Sequence, residues 1–148
     1  MSDLIRDIVV NRKARHEYFV EETFEAGLSL LGSEVKSLRA GRANLQEAYV
    51  RLDAGGAWLV GCHISPYTHA NRNNHEPTRD RRLLLHRSEL YKLRRGTQQK
   101  GMTIVPLRIY LQGSLFKVEI ALAKGKKLHD KRHALKAKQA KREMDRGR

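Results

Sequence analysis

This 148-residue chain has one cysteine, three prolines and a single tryptophan. The lone Cys62 excludes an internal disulfide, and such cysteine usage fits a reducing cytosol. It also excludes the cysteine pairs that structural zinc sites usually bring. No run of about 18 apolar residues occurs, so no helix is expected to span a bilayer. Met1 to Val10 carry Asp3, Arg6 and Asp7 and lack the apolar stretch of a secretory signal, so none is expected. No glycine-rich run precedes a helix. Gly55-Gly56 and Gly125 stand alone, which argues against a nucleotide-hydrolase phosphate loop. Acids are scarce as well: 16 Asp and Glu face 30 Lys and Arg, for a net charge of +14.

That surplus exceeds what solubility needs. A small, strongly basic, cytosolic chain is expected to bind a polyanion, above all nucleic acid. Length suits one domain. The charge is uneven. Lys124 to Arg148 hold eleven Lys or Arg and three acids. That stretch has no aromatic and only Leu128, Leu135 and Met144 as large apolar residues. It buries too little to offset the entropy of ordering, so residues 124–148 are expected to be disordered when free. Ala134 to Met144 is nevertheless built from strong helix formers. Phosphates would remove the like-charge repulsion and allow a helix of about 25 Å over residues 130–146. Val10 to His16 and the run through Arg72, Arg79, Arg81 and Arg82 are further basic stretches.

Residues 1–123 read as the folded body. From Val20 to Leu30 apolar and polar residues alternate, which predicts a half-buried strand, with Glu22 out of phase. Ser33 is placed to cap a short helix that Gly41 ends. Tyr49–Leu52 and Ala57–Val60 flank a turn and predict a hairpin. Ser65 to Asp80 is a long polar loop. Arg81 to His86 resumes as a strand, and Ser88 is placed to cap a second helix that stops at Gly96. Thr103–Leu111 and Leu115–Leu122 predict a second hairpin, with Phe116, Val118, Ile120 and Leu122 on one face. The expected class is mainly β: about six antiparallel strands with two to three short helices, closed into a barrel that leaves no edge exposed.

Catalytic chemistry finds little support. Cys62 and His63 are neighbours on a strand and point to opposite faces, so they cannot pair as nucleophile and base. His63, His69 and His75 are read as polar loop histidines rather than metal ligands. No enzyme, metal or cofactor is expected. Glu25 lies on the polar side of its strand. It can accept a hydrogen bond from a base or a 2′-hydroxyl, or it can orient a neighbouring Arg or Lys; the sequence leaves both open.

Four blocks then stand in register: Asn11 to Tyr18 (NRKARHEY), Gly32 to Gly41 (GSEVKSLRAG), Arg82 to His86 (RLLLH) and Gly125 to Arg132 (GKKLHDKR). Together they closely resemble the SsrA-binding protein (SmpB) family, from about Ile8 to Arg132. The resemblance implies an OB-like barrel. It implies an RNA-binding adaptor that joins the tRNA-like domain of transfer-messenger RNA (tmRNA) and brings it to stalled ribosomes for trans-translation. The protein would stand in for an anticodon arm. Glu25, Leu84 and His86 match the face that grips the RNA elbow. Lys13, Arg15 and His16, with Arg81 and Arg82, complete the expected tmRNA-binding set. Gly125 matches a glycine expected to turn the tail sharply. Lys126, Lys127, His129, Asp130, Lys131 and Arg132 match the segment that enters the decoding centre on the small-subunit RNA, with the tail beyond in the empty message channel. The elongation factor that carries aminoacyl-tRNA is a further expected partner. The expected protein is monomeric and cytoplasmic. Many members carry a mid-tail tryptophan where this chain has Ala140, so anchoring would fall to Leu135, Met144 and charge. The competing reading is a structural ribosomal protein, since those too join small barrels to basic tails.

Overall fold

The computed structural model describes residues 4–67 and 74–126. The expected tail from Lys127 onward, and His69 in the long loop, lie outside the described residues. Along the chain run β1 (Ile5–Val10), α1 (Arg12–Glu17), β2 (Tyr18–Leu28), α2 (Gly32–Arg39), β3 (Ala43–Asn44), β4 (Tyr49–Asp53), β5 (Gly56–Val60), β6 (His63–Ile64), β7 (Arg81–Leu84), α3 (Arg87–Thr97), β8 (Met102–Gln112) and β9 (Leu115–Gly125). None of these helices is long and apolar enough to cross a membrane.

Both hairpins form where the turn residues predicted them. β4 and β5 pair from Tyr49 opposite Val60 to Asp53 opposite Gly56. Asp53 Oδ1 accepts the Gly55 N–H at 2.8 Å and closes that turn. β8 and β9 pair from Met102 opposite Lys124 to Gln112 opposite Leu115. β9 therefore runs to Gly125, past the expected body–tail boundary at 123/124. Seven strands form one antiparallel sheet in the order β1-β8-β9-β2-β7-β5-β4, while β3 and β6 pair separately. The fold is mainly β, but the ladder does not close. β1 and β4 are edges with no pairing between them; β4 instead packs against β8. Side-chain packing closes the core at the place where a barrel would use hydrogen bonds. The expected six strands are joined by β1 and by the two-residue β3 and β6.

The alternation on β2 places Phe24, Ala26 and Leu28 in the core beside Leu83, Val118 and Ile120. A bulge between Val20 and Glu22 re-phases the start of the strand and leaves Val20 exposed instead of inward. Glu22 lies after it, opposite Leu122 and in register with Phe24, and its exposed carboxylate stands 4.0 Å from the Lys92 ammonium. β8 and β9 are covered on both faces. Ile104, Ile109, Val118 and Ile120 face the main core; Val105, Leu107, Ala121 and Ala123 face Ala14 of α1. Asn11 fixes that six-residue helix. Its Oδ1 accepts the Ala14 N–H at 3.2 Å, and its Nδ2 donates to Pro106 O at 2.9 Å and Leu45 O at 3.2 Å.

α2 begins before the expected cap. Glu34 reaches back to accept the Leu31 N–H at 2.8 Å, so Ser33 sits inside the helix and its hydroxyl bonds His75 Nδ1 at 2.8 Å. Gly41, with φ +72°, ends the turn as expected. Glu34 and Arg81 are both fully buried and form an ion pair. Arg79 adds a second, 2.5 Å from Glu34 Oε1, and Arg81 also donates to Cys62 O at 2.7 Å and Pro77 O at 3.0 Å. This cluster ties α2, the loop before β7 and β7 into one unit. Burial alone would raise the Glu34 pKa; hydrogen bonds from Arg79, Leu31 and Arg81 outweigh it and hold the carboxyl below its ordinary value.

Candidate nucleic-acid interface

The sheet's outer face is set by the same alternation that builds the core. With Arg81 and Leu83 turned in, Arg82 and Leu84 turn out. With Phe24 and Ala26 in, Glu25 and Gly27 face out. The β2–β7 register places Gly27 opposite Leu84. A Cβ at Gly27 would stand 3.2 Å from Leu84 Cβ, so the bare glycine lets the leucine lie close over β2. Leu84 is 55% exposed although it is a leucine within a sheet. His86 follows as the residue before α3, exposed, with its N–H donated to Glu89 Oε1 at 3.0 Å. Glu25, Leu84 and His86 thus share one surface.

Glu25 is ion-paired to Lys117, whose ammonium also donates to Gln112 Oε1 at 2.9 Å. Hydrogen bonds from Lys117 and Tyr110 hold the Glu25 carboxyl below its ordinary value. Burial, reinforced by Glu25, pushes the Tyr110 hydroxyl above its own, so it stays a donor. Of the two roles left open for Glu25, the ion pair that orients a neighbour is present. Beside it, Arg108 pairs with Asp7 and, at 3.6 Å, with Glu119, and its guanidinium lies 4.4 Å from the Tyr110 ring centre. Arg15 reaches the same Glu119 at 3.4 Å. A chain of alternating charges therefore runs from β2 across β9 and β8 to α1.

Arg82 donates to Gly55 O at 2.8 Å and stacks 5.8 Å from the Trp58 ring centre, with Arg51 on Trp58 at 5.9 Å. Arg81 does not belong to this surface. Its guanidinium is fully buried on Glu34 and two carbonyls, so it holds β7 in place and offers nothing to a polyanion. Lys13 pairs with Glu47 at 3.5 Å; Arg15 and His16 are exposed on α1.

The tail root lies at the other end of β2, where Tyr18 pairs with Gly125. Tyr18 and Gly27 are separated by about 30 Å of extended chain. Lys126 donates to Arg15 O at 3.3 Å and sits 5.1 Å from the Phe19 ring centre. Gly125 has no positive φ, and an added Cβ would meet nothing within 4 Å. The sharp turn expected of it is absent at this residue. Lys127, His129, Asp130, Lys131 and Arg132 lie outside the described residues.

Cys62 is buried, and desolvation pushes its thiol up to about 11, unsuited to nucleophilic work. His75 is held by Ser33 and by Ile64 O at 2.8 Å. Among the described residues no cluster of three or more His, Cys, Asp or Glu could hold a metal. Sequence reasoning missed Lys117, Arg108, Tyr110, Trp58 and Arg51. The inward face read for β9 already implied that Lys117 points out; its partner on β2 required the register.

The profile of the family described as SmpB protein matches residues 8–148. Curated relatives include the SsrA-binding protein of Symbiobacterium thermophilum, 57% identical over 143 residues, covering 96% of this chain and 90% of that protein. The SsrA-binding protein of Halalkalibacterium halodurans is 55% identical over 139 residues, covering 94% of this chain and 90% of its own. A solved structure described as "tmRNA-SmpB: a journey to the center of the bacterial ribosome" superposes with a TM-score of 0.67 at 44% identity, covering 78% of this chain and 82% of that one.

Proposed function

Since this chain belongs to the SmpB family, we propose that it is an RNA-binding adaptor for trans-translation: it binds tmRNA and carries it to stalled ribosomes. The observation that carries the reading is the outward face shared by Glu25, Leu84 and His86. An exposed apolar side chain lies there on the same outward face as an oriented ion pair and an exposed histidine. That combination suits an RNA loop: Leu84 meets a base or ribose, and Lys117, Arg82 and His86 meet phosphate or 2′-hydroxyl. The tRNA-like domain is the part of tmRNA that such a face would read by shape.

Lys13, Arg15 and His16 extend the cation supply along α1. The tail from Gly125 and Lys126 through Lys127, His129, Asp130, Lys131 and Arg132 would enter the decoding centre, leaving the cytoplasmic, monomeric body on the RNA. No catalytic step belongs to this protein in that role; chemistry stays with the ribosome. The elongation factor that carries aminoacyl-tRNA is the further partner. The curled sheet, open in its ladder, serves in place of a closed OB-like barrel.

The test is a titration of the full chain with the tRNA-like fragment of tmRNA against ordinary tRNA near physiological salt. Strong preference for the fragment supports the reading. Equal affinity would overturn it and favour a ribosomal protein that binds through charge alone.

A further inference from the structure

The outer face does not end at His86. α3 carries Arg87, Tyr91 and Arg94 at i, i+4 and i+7, one stripe of the helix. The stripe borders a groove of about 300 Å³ whose far wall is the β4–β5 hairpin at Gly55 and Gly56. That volume is at the lower end of what ordinary ligand clefts offer. Leu90, partly buried against the core, is an apolar part of its lining.

Three features point to what the groove takes. Tyr91 is 63% exposed, the most exposed aromatic among the described residues. Neither its side chain nor that of Arg87 makes a hydrogen bond, ion pair or ring contact with any described residue. Arg94 spends one N–H on Asp53 O at 2.8 Å, and a guanidinium has five. The nearby acids are already engaged: Asp53 closes its own turn and stands 3.9 Å from Arg51, and Glu89 holds the His86 N–H. The groove therefore keeps a surplus of cations. Its hairpin wall at Gly55 and Gly56 is bare backbone, against which a flat ring can lie.

We infer that this groove binds one unpaired nucleotide of the same RNA, its base on the Tyr91 ring and its phosphates on Arg87 and Arg94. Helical RNA cannot present a base face to a protruding ring, so the nucleotide comes from a loop or bulge. The inference rests on the RNA-binding reading of the adjoining face and extends it by a second contact point, reached past His86 around the start of α3.

The experiment titrates the full chain and its variants with the tRNA-like fragment over a range of salt. Tyr91→Ala is expected to weaken binding at least about fivefold with the salt slope unchanged, and Tyr91→Phe to restore it. Arg87→Ala is expected to weaken binding and to make the log–log salt slope shallower by about 0.7–1. Both side chains are exposed, so melting temperatures should match the parent. If both alanine variants bind within twofold of the parent with its salt slope, while Leu84→Asp loses binding, the groove inference is wrong and the main reading stands. If the unaltered chain shows no preference for the fragment, both fall.

Discussion

Glu34→Gln tests the claim that the buried charge cluster, and not surface pairing, holds β7 in place. Glu34 is fully buried and accepts from Arg79, Arg81 and the Leu31 N–H. The amide keeps the shape and one acceptor oxygen but loses the charge, leaving the Arg81 cation buried among neutral groups, Cys62 O and Pro77 O included. Removing one partner of such a pair costs about 3–5 kcal/mol. For a body of roughly 120 residues the entropy of unfolding is about 0.25 kcal/mol/K, so Tm should fall by about 12–20 °C. The pH dependence has a definite sign. The folded pKa of Glu34 is below its ordinary value, so its stabilisation is complete above the unfolded value near 4.5 and is lost as pH falls through the folded one. The Tm gap between parent and variant should therefore narrow in acid. Circular dichroism melts at pH 7 and in steps toward pH 3 measure both effects. A loss under about 4 °C at pH 7, or a gap that stays constant in acid, would refute the argument.

Leu84→Asp should leave Tm within about 2 °C, because the side chain is 55% exposed, yet weaken binding of the tRNA-like fragment at least about tenfold by placing an anion against phosphate. The single Trp58 lies between Arg51 and Arg82, so its fluorescence should change as RNA engages Arg82 and saturate with binding; Arg82→Ala should abolish the change. Removal of residues 127–148, which keeps β9 whole, should leave fragment binding within about threefold while abolishing tagging in a reconstituted translation assay; parallel loss of both would contradict the division between face and tail.

The two hairpins were legible because alternation and turn residues are local signals. The bulge in β2 was not legible: Val20 fits the alternation, yet the extra residue before Glu22 turns it outward. α1 was not legible. Six residues rich in charge cannot hold a helix alone, and this one rests on the buried Asn11 and on Ala14 packed over Ala121 and Ala123. β1 carries Arg6 and Asp7 and is defined by its pairing with β8. Arg81 and Arg82 look alike in sequence, yet alternation with Leu83 sends one inward and one out. Residue type pointed to RNA for both; facing decides. Glu25 and Leu84 reach one surface only through the β2–β7 register, which no single strand encodes. The closed barrel failed for a related reason: whether edge strands meet depends on the curl of seven strands together.

β2 works as a ruler. One end carries Gly27 beneath Leu84, and the other carries Tyr18 beside Gly125. Inserting one residue between the bulge and Glu25 would invert every later side chain and turn Leu84's neighbours into the core. Inserting two would keep the faces but lengthen the gauge by about 7 Å. β9 pairs with β2 along nearly its whole length, so the change would have to be copied there and then into β8. The distance between the RNA face and the tail root is thus tied to three strands at once. Drift can alter the tail's residues or the loop tips freely, but it can change this spacing only through coordinated steps, each passing through a broken register.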